Sequence, residues 1–275
     1  MKVGIGLPNA VPGAPRSLIE EWSRRADAGP FSSLGVVDRP HYDAYEPMSS
    51  LALAASLTER IGLVTMVVIG PLRDTARLGE EAATIAQVSG GRFTLGLGVG
   101  GRPGDYTKAG LSSQGRGERL TEQLGDLRAG WNEGGPALIV GGLSDMTSLR
   151  IARYADGYVH GGGPPKTFER SADRTRTAWN DLGRIGAPQL WAQGYFALGD
   201  EETVERGRTY MRDYYSFTGP FADRIAEGML ATPQGIAAFV RGYAEAGCDE
   251  LVLLPAVANI EQLMRLQEVL SGVMD

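Results

Sequence analysis

Short apolar runs alternate with longer amphipathic stretches along the whole chain, a period of two giving way repeatedly to a period of 3.6. In the first half, Lys2–Leu7 (KVGIGL), Leu34–Asp38 (LGVVD), Ile61–Gly70 (IGLVTMVVIG) and Arg92–Leu97 (RFTLGL) read as strands. The third is apolar throughout, as expected for a parallel strand covered on both faces. Helices are predicted over Ser17–Ala28, Pro47–Leu57 and Thr75–Val88, the last ended by Ser89-Gly90-Gly91. The second half repeats the rhythm. Arg116–Trp131 sets Leu120, Leu124, Leu127 and Trp131 on one helical face, and Ala137–Val140, Gly157–His160, Gln189–Ala197 and Glu250–Leu254 read as strands five to eight. Thr147–Ala155, Pro165–Leu182, Glu201–Tyr215, Ile236–Ala246 and Ile260–Leu270 read as helices. Eight strands, each followed by a helix, over about 250 residues predict a (β/α)8 barrel, with a doubly wound open sheet as the rival. No Pro- or Ser-rich linker divides the chain, so one domain over residues 1–275 is expected.

Composition narrows the chemistry. With 275 residues, 43% apolar and 22% charged, the chain can bury a large core and is not disordered. A net charge of -6 argues against nucleic-acid binding, which needs clustered positive charge. Lys2, Lys108 and Lys166 are the only lysines, which disfavours Schiff bases and Walker-type loops. One cysteine, Cys248, allows no internal disulfide, and with two histidines a metal site is not expected. No leader precedes an apolar core in MKVGIGLPNA and no run of 18 uncharged apolar residues occurs, so a cytoplasmic protein without a membrane span is expected.

In a parallel barrel the site is built at the C-terminal ends of the strands. Those ends carry Asp38-Arg39-Pro40-His41, Gly98–Asp105, Gly141-Gly142 and His160–Gly163, and glycine dominates. Glycine lets backbone approach a large planar or phosphorylated ligand, whereas a hydrolase needs paired carboxylates or a nucleophile beside a base. Gly96–Gly101 satisfies GxGxxG, but it begins inside a fourth strand with no acidic residue ending the next one, so it is not a dinucleotide fingerprint. Gly141-Gly142 and Gly161-Gly162-Gly163 each join a strand to a helix and read as phosphate cradles, or more plainly as tight turns.

At these residues the chain resembles the bacterial luciferase-like flavin-dependent oxidoreductases. The resemblance rests on Glu59–Leu63, Pro71-Leu72-Arg73, Glu81–Thr84, Ser89–Gly98, Gly101–Tyr106, Ile139–Gly142, Arg153–Gly157 and Ala246–Leu251, in order and spacing, and spans nearly the whole chain. It implies a barrel binding FMN, or a 5-deazaflavin of the F-420 type, across its mouth. It also implies a bulge in the third strand behind the cofactor ring, at Thr65-Met66-Val67, often with a non-proline cis peptide. The family's acidic residue ending strand two corresponds to Asp38, with the histidine that often follows displaced to His41 by Arg39-Pro40. The connection Asn132–Gly135 is short where many members carry a longer segment, so an open mouth, or one closed by a partner subunit, is expected.

Single residues can then be weighed. His41 and Tyr106 are the candidate proton donors, His41 because histidine titrates near neutrality and follows strand two. Asp38, Thr65, Met66, Val67, Gly98, Arg102, Gly141, Gly142, His160, Gly161 and Gly162 are the candidate cofactor contacts. The plainer readings are a loop histidine for His41, core packing for Met66 and His160, and ion pairs for Asp38 with Arg39 and Arg102 with Asp105. Tyr210, Tyr214, Tyr215, Phe217 and Phe221 form a lid, a substrate wall or plain core. The expected protein is an FMN-dependent monooxygenase on a small organic substrate. A flavin reductase supplying reduced cofactor and a homodimer are its expected partners. A deazaflavin-dependent reductase or dehydrogenase, and a flavin-binding protein without turnover, are the alternatives.

Overall fold

The computed structural model describes residues 1–131 and 134–272, so the predicted connection at Asn132 and Glu133 lies outside the described residues. Among the described residues nine strands, all pairing in parallel, form one closed sheet: β1 (Lys2–Gly6), β2 (Ser33–Val36), β3 (Gly62–Thr65), β4 (Val68–Ile69), β5 (Phe93–Gly98), β6 (Ala137–Gly141), β7 (Gly157–His160), β8 (Gln189–Phe196) and β9 (Glu250–Pro255). β3 and β4 are the lower and upper halves of one barrel stave, and both pair with β5, which closes the ring. The architecture is the (β/α)8 barrel that the strand–helix alternation predicts.

Helices α1 (Arg16–Ala28), α2 (Pro47–Leu57), α3 (Thr75–Val88), α4 (Pro103–Lys108), α5 (Arg116–Trp131) and α6 (Asp145–Tyr154) cover the first half. α7 (Pro165–Asp181), α8 (Glu201–Tyr214), α9 (Phe221–Glu227), α10 (Pro233–Glu245) and α11 (Ile260–Ser271) cover the second. The short α4 and α9 are absent from the sequence reading, because six or seven residues are too few for a helical period to declare itself.

Two apolar layers follow from strand alternation. Leu34, Leu63, Leu95, Leu138, Leu190 and Leu253 pack outward against the helices. Val64, Ile139, Val159, Trp191 and Val252 fill the barrel interior. Gly35 makes that filling possible, since a Cβ there would lie 2.9 Å from Val252 Cγ1 and 3.1 Å from Met66 Cγ. At the opposite, N-terminal end, arginines tie the loops. Arg60 donates to the carbonyls of Gly29 (2.8 Å) and Phe31 (2.9 Å), and Arg92 to those of Thr58 (2.7 Å) and Ile61 (2.6 Å). Such contacts at the face away from a barrel's active site serve stability. Cys248 is buried there, and burial pushes its thiol up to about 12, so it behaves as a small apolar residue.

The third stave departs from the continuous strand predicted. Val64 pairs with Thr94 and Val68 with Leu97, four steps on one strand against three on the other. One extra residue is therefore bulged out at Thr65-Met66-Val67, where the Met66–Val67 peptide is cis. The Thr65 side chain fills the gap in the ladder. Its hydroxyl donates to Gly96 O at 2.8 Å and accepts from Gly96 N at 2.7 Å.

Candidate active site

A cavity of about 160 Å³ sits at the C-terminal ends of the strands, behind which lies the bulge. Met66, Val67 and Ile69 line it from the third stave, Val37 and Asp38 from just beyond β2, and Gln193 and Tyr195 from β8. Gly100, Gly101 and Arg102 follow β5, while Tyr214, Tyr215 and Phe217 come from the end of α8 and the turn beyond it. The tyrosine cluster of the sequence is thus partly a wall of this cavity. Tyr210 packs behind Tyr214 with ring centroids 5.6 Å apart, and Phe221 lies largely exposed outside it.

Asp38 anchors the wall nearest the bulge. Its Oδ2 accepts from Ile69 N at 2.9 Å and from Arg73 Nη2 at 3.3 Å, and Arg73 also reaches Glu46 at 2.8 Å. Burial pushes the Asp38 carboxyl above its ordinary range, against the opposing pull of the Arg73 guanidinium. The partner is Arg73, which the sequence placed in a motif, and not the adjacent Arg39. Arg39 instead lies over the Tyr42 and Tyr214 rings at 4.6 and 5.2 Å. Arg102 is buried between Tyr214 and Phe217, at 4.4 and 4.7 Å from their centroids. It donates to Tyr214 O at 3.1 Å and approaches Asp105 at 3.7 Å, so the ion pair read as its plainer role is present.

The two candidate proton donors do not line this cavity. His41 is exposed on the loop after β2 with φ +56°, a left-handed conformation that histidine tolerates better than most residues. Arg39-Pro40 carries it past the mouth. Tyr106 is 1% exposed, and its hydroxyl donates to Val99 O at 2.6 Å, which pins the loop after β5. Burial raises its phenol above the ordinary value.

Among the candidate cofactor contacts, Asp38, Met66, Val67 and Arg102 line the cavity. Thr65 stands behind it, wholly buried in the seam. Gly98 abuts the bulge, where a Cβ would lie 2.8 Å from Val67 Cγ2, and Gly141 borders Val67 as well. Gly142, with φ +152°, leads into α6, and a Cβ there would meet Thr147 Oγ1 at 2.5 Å. Gly161 O accepts from Gln193 Nε2 at 3.3 Å, and Gly162 follows with φ +105°. His160 is 2% exposed beneath this loop. Its Nδ1 lies 2.8 Å from the Tyr158 hydroxyl and its Nε2 3.2 Å from Thr167 Oγ1. Because Thr167 Oγ1 donates to Pro164 O, it accepts from His160, whose proton therefore sits on Nε2. Burial pushes the imidazole down to about 4.

Gln193, Tyr195 and Arg73 escaped the sequence reading as site residues. Gln193 and Tyr195 share the inward parity of Trp191 in QLWAQGYF, a period-two signal that could have marked them.

A family model described as luciferase-like monooxygenase matches residues 1–250. An uncharacterised protein of Mycobacterium tuberculosis is 29% identical over 184 residues, which is 58% of this chain and 63% of that protein. The chain thus spans under two thirds of the length of that curated relative. A monooxygenase from Streptomyces bottropensis superposes with a TM-score of 0.82 at 19% identity, covering 99% of this chain and 98% of its own. An F420-dependent secondary alcohol dehydrogenase, solved with an F420–acetone adduct, superposes with a TM-score of 0.83 at 15% identity, covering 100% and 99%. At these identities the two structures speak for the fold. With most of the chain matched by the family model, the protein belongs to the luciferase-like monooxygenase family.

Proposed function

We propose that the chain is an FMN-dependent monooxygenase acting on a small organic substrate. The observation that carries this reading is the chemistry of the cavity wall. Among the described residues no histidine, lysine or cysteine lines it and the one carboxyl is engaged by Ile69 and Arg73, while burial raises the phenols of Tyr195 and Tyr215. Taking hydride from an alcohol releases a hydroxyl proton that a nearby base must accept. Oxygen insertion places the demanding chemistry on the cofactor instead, and asks the protein to bind, orient and exclude water.

The glycine loops fit a phosphate. Gly161 has open space where a Cβ would stand, and among the described residues no side chain caps α6 or α7, as is also true of α1, α4 and α9. Free N–H groups at a helix start attract an anion without help from lysine. The ring would lie against Met66 and Val67, and it enters only if the wall of Tyr214, Tyr215 and Phe217 withdraws, because ligand sites usually exceed about 300 Å³. Bound and reduced, FMN supplies the electrons that activate molecular oxygen for insertion of one atom into the substrate. A separate flavin reductase would furnish the reduced form.

Purified protein should bind FMN saturably and more tightly than F420, and should consume oxygen with reduced FMN once a substrate is present. Tighter binding of F420 with no oxygen uptake would replace this reading by the dehydrogenase one. Binding without turnover on any substrate would leave a carrier. The phosphate cradle has its own check: Gly142→Val should weaken FMN binding by about 1–3 kcal/mol, the scale of a charge-assisted hydrogen bond, yet leave riboflavin binding nearly unchanged. Equal losses for both flavins would move the phosphate elsewhere.

A further inference from the structure

Among the described residues Gln193 is the lone side-chain amide lining the mouth cavity. It stands on β8 between Trp191 and Tyr195, one residue removed from each and on the same face, so it points into the barrel. Its register partner on β9 is Val252, and the interior residues Val64, Ile139 and Val159 are aliphatic as well. The residue is 7% exposed. Nε2 donates to Gly161 O at 3.3 Å, which fixes the orientation of the amide and leaves Oε1 buried with no partner among the described residues. A leucine would pack in this place without leaving a polar atom unpaired, so the amide oxygen calls for a donor from elsewhere.

We propose that Gln193 Oε1 accepts a hydrogen bond from the imide N–H of the cofactor ring, and so selects ligands that carry that donor. The proposal rests on the flavin reading above. Oε1 can only accept, and the oxidised isoalloxazine and 5-deazaisoalloxazine rings each carry one ring N–H, the imide at position 3. The assignment therefore holds for FMN and for a deazaflavin alike. The other end of the same amide holds Gly161, the first residue of the second glycine loop, so one side chain links the ring pocket to the phosphate cradle. Gln193 thereby acts as a specificity residue.

The test compares FMN with 3-methyl-FMN, and 5-deaza-FMN with its 3-methyl derivative, by dissociation constants from fluorescence quenching. The wild type should bind the methylated member of whichever pair it accepts about tenfold more weakly, the scale of one hydrogen bond (about 1.4 kcal/mol). In Gln193→Leu the unmethylated ligand should weaken by about tenfold and the methylated one hardly at all, so the ratio falls to near one. Equal weakening of both ligands means that Gln193 only braces the glycine loop, and overturns the proposal. So does a wild type that binds both members alike, a result that needs no variant to fold. If neither pair binds the folded wild type, the flavin reading itself falls and takes this assignment with it.

Discussion

Thr65→Val should lower the stability of the protein by about 2–4 kcal/mol, although valine matches threonine in shape. The threonine hydroxyl serves the N–H and the C=O of Gly96 together, at 2.7 and 2.8 Å, in a seam wholly shielded from water. Valine leaves both backbone groups unpaired, and each buried, unsatisfied group costs roughly 1–3 kcal/mol. Neighbouring chain cannot close the gap. A Cβ built on Gly96 would already lie 2.0 Å from Thr65 O, so the two strands touch at this point. Urea unfolding should show a lower midpoint with an unchanged slope, and Thr65→Ser, which keeps the hydroxyl, should recover most of the loss. A valine variant within about 0.5 kcal/mol of wild type would mean that the ladder gap is filled some other way.

His160 should make the protein lose stability as the solution is acidified through the range where free histidine titrates. Its imidazole, pushed down to about 4 by burial, stays neutral in the folded chain, while in the unfolded chain it takes up a proton below about 6.5. The unfolded state therefore binds more protons between those values, and stability falls as pH falls. At 1.36 kcal/mol per unit, the loss attributable to this one group is about 2 kcal/mol at pH 5 relative to pH 7. Carboxylates contribute to acid unfolding as well, so the informative quantity is the difference between wild type and His160→Gln. The glutamine variant should lack this part of the pH dependence, and parallel pH profiles for the two proteins would refute it. A neutral His160 also adds no positive charge beneath the second glycine loop, which leaves any anion there to backbone N–H groups.

Period-two and period-3.6 patterning made the barrel legible, because burial on one or two faces is written directly into residue order. Pro47–Leu57, Thr75–Val88 and Arg116–Trp131 emerge with the bounds expected. The bulge was reached through family resemblance, since IGLVTMVVIG reads as one uninterrupted strand and only register with β5 exposes the extra residue. For the site, the strand-end glycines and Asp38 are visible as a pattern, yet the plainer reading of Asp38 pairs it with its sequence neighbour Arg39. The actual partner, Arg73, reaches it because the chain turns back after β4, a relation that no local window contains. His41 shows the converse limit. Its proximity to strand two in sequence points to the mouth, but His41, itself left-handed, is exposed and does not line the cavity.

The aromatic wall over the cavity bears on time as well as on affinity. Tyr214, Tyr215 and Phe217 leave about 160 Å³ beneath them, and they are held by the Arg102–Tyr214 contact and by the Tyr42 hydroxyl on Asp213. A flavin bound here as proposed would pass this wall once on entry and again on exit. Capture then cannot outrun the motion of the wall, however concentrated the ligand. Release would wait on the same motion, so slow exchange at the mouth is the kinetic signature expected of a flavin bound as proposed.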